Sequence, residues 1–238
     1  MFYYYGYDWT YVILVLPCVI LSLIASSLVN STFNRFSQIM SARRITGAEA
    51  AQRVLRHNGV SGVRVERVSG KLTDHYDPKT NVIRLSDSVH DSTSVAAIGV
   101  ACHEAGHAVQ YAKHYSPIHI RAALVPITNI GTNLAMPLIL IGILFTSLGY
   151  YSDVIVNIGI ACFGLSFLFQ MITLPVEFNA SRRAMAAIDE AGILSDEERK
   201  GARRTLTAAA MTYVAAAAVA LAQLLRLVML FGGRRRRD

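Results

Sequence analysis

Val100-Ala101-Cys102-His103-Glu104-Ala105-Gly106-His107-Ala108-Val109-Gln110 contains the pattern His-Glu-x-x-His. On a helix of 3.6 residues per turn, His103 and His107 lie one turn apart on one face. Two imidazoles so placed can ligate a single zinc ion. Glu104 is displaced by about 100° around the same helix. It would flank the metal rather than ligate it, where it could take a proton from zinc-bound water and pass it to a leaving amine. The plain structural alternative is a buried helix with two satisfied histidines. Burying His, Glu and His together without a common partner is costly, which disfavours that alternative.

The segment Val95-Ala96-Ala97-Ile98-Gly99-Val100 before the motif predicts a buried helix, and Asp91-Ser92-Thr93-Ser94 offers several N-caps. Ala105 and Gly106 are small enough to let another element or a substrate approach closely. Cys102 adjoins His103 but points about 100° away and reads as a core residue. With Cys18 and Cys162 in apolar blocks, the three cysteines do not suggest a disulfide framework.

Of the 238 residues, 53% are hydrophobic and only 16% charged. Soluble domains carry about 25% charged residues. The apolar excess is concentrated in long blocks, which predicts a membrane protein. In that setting the net charge of +7 reads as a cytoplasmic-face signature, not a nucleic-acid footprint.

The expected fold is mainly α and multi-pass, with about four transmembrane helices and a small α+β, zincin-like cytoplasmic portion carrying the motif helix. Residues 1–29 are an aromatic cluster followed by an uncleaved membrane helix, since no basic n-region precedes the apolar run. Residues 30–121 hold the α+β portion. There Thr46-Gly47-Ala48-Glu49 has capping-box spacing and Asn58-Gly59 a helix stop. Val63–Glu66, Leu72–Tyr76 and Val82–Leu85 read as short strands, with a turn over Asp77–Asn81. An edge strand of that sheet could pair with an extended substrate. His114 and His119 read as surface or interface residues, because Lys113 occupies the position at which the metzincin pattern requires His.

Residues 122–174 form a transmembrane hairpin that turns at Tyr150–Asp153 and returns the chain to the side it left. Residues 175–207 therefore share a compartment with residues 30–121 and should supply the third ligand. Residues 208–238 form a fourth membrane helix and a tail, Arg234–Arg237. Residues 30–121 carry twelve Lys and Arg and residues 175–207 carry six, which places both on the cytoplasmic side. The tail conflicts with this: either it is translocated or the last helix does not fully cross.

Glu177 is the best third donor, because catalytic zinc usually has three protein ligands. Its alternative is a helix-terminal carboxylate favoured by the dipole. Together with Leu174-Pro175-Val176-Glu177-Phe178-Asn179-Ala180-Ser181-Arg182-Arg183, the motif resembles the membrane gluzincins of the HtpX type. The likeness to the YugP-type membrane zinc metallopeptidases, neutral zinc metallopeptidase family 2, is closer and covers nearly the whole chain. It includes Leu72–Pro78 and Ala208–Ala215. The resemblance implies zinc-dependent peptide-bond hydrolysis, with Glu177 as ligand. Ser181 stands where the HtpX pattern has an Asp that orients a ligating His, and Asn179 where YugP-type proteins often have Asp.

Three functional readings follow. The first is a membrane zinc endopeptidase holding one Zn²⁺ ion on His103, His107 and Glu177, with Glu104 as general base. Its partners would be the lipid bilayer and a peptide or protein substrate. Tyr213, His75 and Arg182 are possible oxyanion donors. The second is a site-2-type intramembrane protease, which would need an Asp ligand from a later membrane helix and has only Asp153 and Asp189 to offer. The third is an inactive, zinc-stabilised membrane scaffold, which would not need Glu104.

Overall fold

A computed structural model describes residues 3–4, 7–145, 147 and 149–231. The Arg234–Arg237 tail lies outside the described residues. A small hairpin, β1 (Tyr3–Tyr4) with β2 (Tyr7–Asp8), leads into a π-helical turn, Tyr11–Val15. Then follow α1 (Leu16–Ser37), α2 (Gly47–His57), β3 (Arg64–Val68), β4 (His75–Asp77), β5 (Val82–Ser86), α3 (Val95–Ala112), α4 (Ser116–Leu144), α5 (Tyr150–Glu190) and α6 (Asp196–Phe231). The chain is mainly helical. Four helical stretches, the first running Tyr11–Ser37 and the others α4, α5 and α6, are long and apolar enough to cross a bilayer.

The chain packs as two units. One comprises Met1–Ile24, Ile120–Leu174 and Tyr213–Asp238. Here small residues let α4 and α5 approach closely. A Cβ on Gly142 would lie 2.9 Å from the Ser152 carbonyl oxygen, and one on Gly159 2.9 Å from that of Ala135. Membrane helices associate through such contacts because lipid offers no hydrophobic drive for helix pairing. Ser152 donates to the Gly142 carbonyl, and the Thr132 and Ser166 hydroxyls share a hydrogen bond of 2.7 Å. Large apolar side chains such as Ile13, Ile130 and Leu144 remain exposed, as lipid-facing residues should.

The other unit comprises Ala25–His119 and Pro175–Thr212. Its three-stranded sheet has the order β3-β5-β4, with β3 parallel and β4 antiparallel to β5. The central strand is buried at Val82, Ile83, Leu85 and Ser86. Both edges of the expected capping box are present on α2: the Thr46 side chain accepts from the Glu49 N–H, and Glu49 accepts from the Thr46 N–H. Ser94 is the N-cap of α3, accepting from the Ala97 N–H. Fourteen of the eighteen α3 residues are buried. They pack into a core that includes Phe33, Phe36, Val54, Ile83, Leu85 and Ile188.

Five boundaries differ from the sequence expectation. The first helix runs on past Val29 to Ser37, because Phe33 and Phe36 are buried in the core just described. The hairpin turn falls just before Tyr150, so Tyr150–Asp153 open α5 rather than connect two helices. Helix α5 continues through Pro175 to Glu190. Buried Val176, Ala180, Ala184, Ala187 and Ile188 recur at helical spacing and hold it there. Helix α6 likewise runs unbroken across residues 207 and 208, with Ala202, Leu206, Ala208 and Ala210 buried. The second strand shortens to His75–Asp77, since Leu72 takes a left-handed conformation (φ 56°) unsuited to a strand.

Candidate metal centre

Helices α3 and α5 build the site. Gly106 permits their approach, since a Cβ there would lie 2.6 Å from the Ala180 carbonyl oxygen. This brings Glu177 against the two histidines. Its Oε2 lies 3.3 Å from His103 Nε2 and 3.5 Å from His107 Nε2. One donor atom from each of the three residues falls within 4.8 Å of the others. The imidazoles stand edge to face, with centroids 4.7 Å apart. Glu177 is almost wholly buried, and Glu104 and His107 nearly so.

Donors about 2.0–2.2 Å from a tetrahedral zinc are separated from one another by roughly 3.3–3.6 Å. The Oε2–Nε2 separations of 3.3 and 3.5 Å fall in that interval, so the residues present fit the ion.

The outward nitrogens of both rings are fixed by neighbours. His107 Nδ1 lies 3.0 Å from Gln110 Oε1. The Gln110 amide is oriented by its other end, which donates to the Val176 carbonyl at 2.8 Å and to Asn179 Oδ1 at 3.0 Å. A carbonyl can only accept, so the NH₂ group must face Val176 and the oxygen must face His107. His107 therefore keeps a proton on Nδ1, which would leave Nε2 as the atom offered to a metal ion. Arg183 in turn donates to Asn179 Oδ1 at 2.8 Å. His103 Nδ1 lies 3.1 Å from Ser181 Oγ, a neutral partner.

Burial opposes charge on His107. The hydrogen bond to Glu177 and the negative charges of Glu177 and Glu104 outweigh it and raise the pKa above the ordinary imidazole value. The carboxylates that raise it are the charges that would also attract a cation. Burial alone pushes the Cys102 thiol far up, which makes it inert beside the site.

The structure brings His103, His107 and Glu177 to one point, with Glu104 buried on the same helix. Of the suggested oxyanion donors, His75 is exposed and its Nδ1–H donates to the Thr73 carbonyl at 2.8 Å. Arg182 is exposed, and Tyr213 belongs to the membrane-type unit. Sequence reasoning missed the role of Gln110. The available signal was an amide three residues after the second His of the motif, on a helix expected to be buried.

Fold and site together define a class of protein. Residues 11–232 match the family described as "Putative neutral zinc metallopeptidase", and the chain belongs to that family. Among known proteins it is similar to the "Putative membrane protease YugP" of Bacillus subtilis (strain 168). The two are 43% identical over 221 residues, covering 93% of this chain and 96% of the relative. No solved structure matches the chain.

Proposed function

We propose that the protein is a membrane-bound zinc endopeptidase of gluzincin type, cutting peptides or proteins at a site on the cytoplasmic side. His103, His107 and Glu177 hold one zinc ion, and Glu104 is the general base. The observation that carries this reading is the arrival of Glu177, near the end of α5 and seventy residues beyond His107, within 3.3 and 3.5 Å of the two imidazoles.

Bound zinc supplies Lewis acidity, lowering the pKa of a water and polarising the scissile carbonyl. Glu104 removes the proton from the attacking water and delivers it to the departing amine. Gln110 and Ser181 keep the two rings oriented, each through Nδ1. The packing of Ala25–His119 with Pro175–Thr212 in one unit supports a catalytic portion made of residues 30–121 and 175–207. The eighteen basic residues of those stretches support its cytoplasmic placement.

The intramembrane alternative needs a later Asp as ligand. Asp189 instead pairs with Arg199, and no observation favours that reading. The test is to purify wild type, Glu104→Gln and Glu177→Ala and to measure bound zinc and casein proteolysis side by side. Glu104→Gln should retain metal and lose activity, and Glu177→Ala should lose metal. Full zinc content in Glu177→Ala would move the third ligand elsewhere. Cytoplasmic placement would be overturned by labelling of a cysteine at position 60 from the outer face.

A further inference from the structure

A cleft of about 380 Å³ lies between the polar end of α1 and the polar end of α6, and none of its lining residues belongs to the candidate metal centre. Arg35, Arg203 and Arg204 line it, all three exposed. Among the described residues no carboxylate lies within ion-pair distance of these guanidiniums. By contrast, Arg64, Arg67, Arg84 and Arg199 each meet an Asp or Glu. The rest of the lining is largely apolar: Leu28, Phe36 and Met211, joined by the hydroxyls of Thr32 and Thr207. Leu28 and Met211 are about half exposed. They lie on the side from which both helices run on as apolar, bilayer-length segments.

We infer that this cleft binds the headgroup of an anionic phospholipid, with its acyl chains lying along Leu28 and Met211. The chemistry is complementary at both ends. A phosphodiester offers acceptor oxygens and a negative charge to three guanidiniums, which bind phosphate in a fork. The hydrocarbon covers apolar surface that a soluble anion would leave exposed. An acidic peptide would satisfy the arginines and leave Leu28 and Met211 uncovered. Basic residues at a membrane surface attract anionic lipid in general. The inference here is narrower: the convergence of three of them on one amphipathic cleft makes a discrete site.

The experiment uses the full chain in micelles, offered phosphatidylglycerol and phosphatidylcholine in equal amounts, with retained lipid read by native mass spectrometry. Wild type should retain phosphatidylglycerol on the order of tenfold over phosphatidylcholine. The triple variant Arg35→Gln, Arg203→Gln, Arg204→Gln should lose that preference. A second triple variant, Arg56→Gln, Lys79→Gln, Lys113→Gln, removes equal charge from other exposed positions and should keep it. Should the first variant fold poorly, Met211→Trp fills the apolar end with all charges intact and should also reduce retention. Equal retention of the two lipids by wild type would overturn the inference, as would equal losses in the two triple variants. So would displacement of the lipid by excess inorganic phosphate or polyglutamate, which would assign the cleft to a soluble anion or an acidic peptide.

Discussion

Substituting Gly106 by alanine tests whether α3 and α5 must touch for the metal centre to form. The added methyl would lie 2.6 Å from the Ala180 carbonyl oxygen, 3.2 Å from its carbon and 3.3 Å from its Cα. All three are backbone atoms, so no side chain can swing aside. Relief requires the helices to part by roughly half to one ångström before ordinary contact is restored. Overpacking of this kind typically costs about 1–3 kcal/mol. The donor separations of 3.3 and 3.5 Å leave no slack for such a shift, and zinc affinity should fall on the order of tenfold or more. Gly99 on the same helix is the control. Its added Cβ would lie 3.4 Å from Ala202 Cα and Cβ, an ordinary contact. Gly99→Ala should therefore be neutral, or gain up to about 1 kcal/mol from helix propensity. Zinc retention against a competing chelator and thermal unfolding of the purified proteins measure both effects. Wild-type affinity and stability in Gly106→Ala would refute the reasoning, as would equal damage in Gly99→Ala.

Three further outcomes are expected. Gln110→Leu leaves the Val176 carbonyl without its amide donor and His107 Nδ1 without its acceptor. It should lower stability by about 2–3 kcal/mol and zinc affinity by roughly 10–100-fold, with a smaller loss for Ser181→Ala; chelator competition ranks the two. In metal-free protein the raised pKa of His107 contributes stability that is present below the unfolded imidazole value and lost as pH rises through the folded one. Zinc needs the neutral ring, so its affinity should run the opposite way and weaken as pH falls through that folded pKa; titrations at several pH values would detect an absence of this slope. Thr46→Ala removes one half of the α2 capping box and should cost about 1 kcal/mol, read as a lower midpoint in thermal unfolding with zinc content unchanged.

Local chemistry made much of this legible in the chain. The Thr46 and Ser94 caps, the Asn58-Gly59 stop and the His103–His107 spacing are written within a few residues, and the structure places helices where they predict. Glu177 could be singled out because a hairpin of two apolar blocks is expected to return the chain to the side it left, and the structure sets it against the two imidazoles. Tertiary burial decided the rest. Pro175 suggests a break by its own chemistry, yet buried Val176, Ala180 and Ala184 carry α5 through it. Phe33 and Phe36 extend the first helix because a core awaits them, a fact outside their own segment. The role of Gln110 depends on two acceptors, on Val176 and Asn179, more than sixty residues away, which no local pattern reveals.

Some seventy residues separate His107 from Glu177, and all of α4 and most of α5 lie between them. With Glu177 as the proposed third ligand, the paired imidazoles are complete on the ribosome while that donor is still unmade. Until both intervening stretches are in place, the nascent chain offers zinc only a two-point grip. Hydrolytic competence would thus be withheld until insertion is well advanced, sparing neighbouring nascent chains from premature cutting.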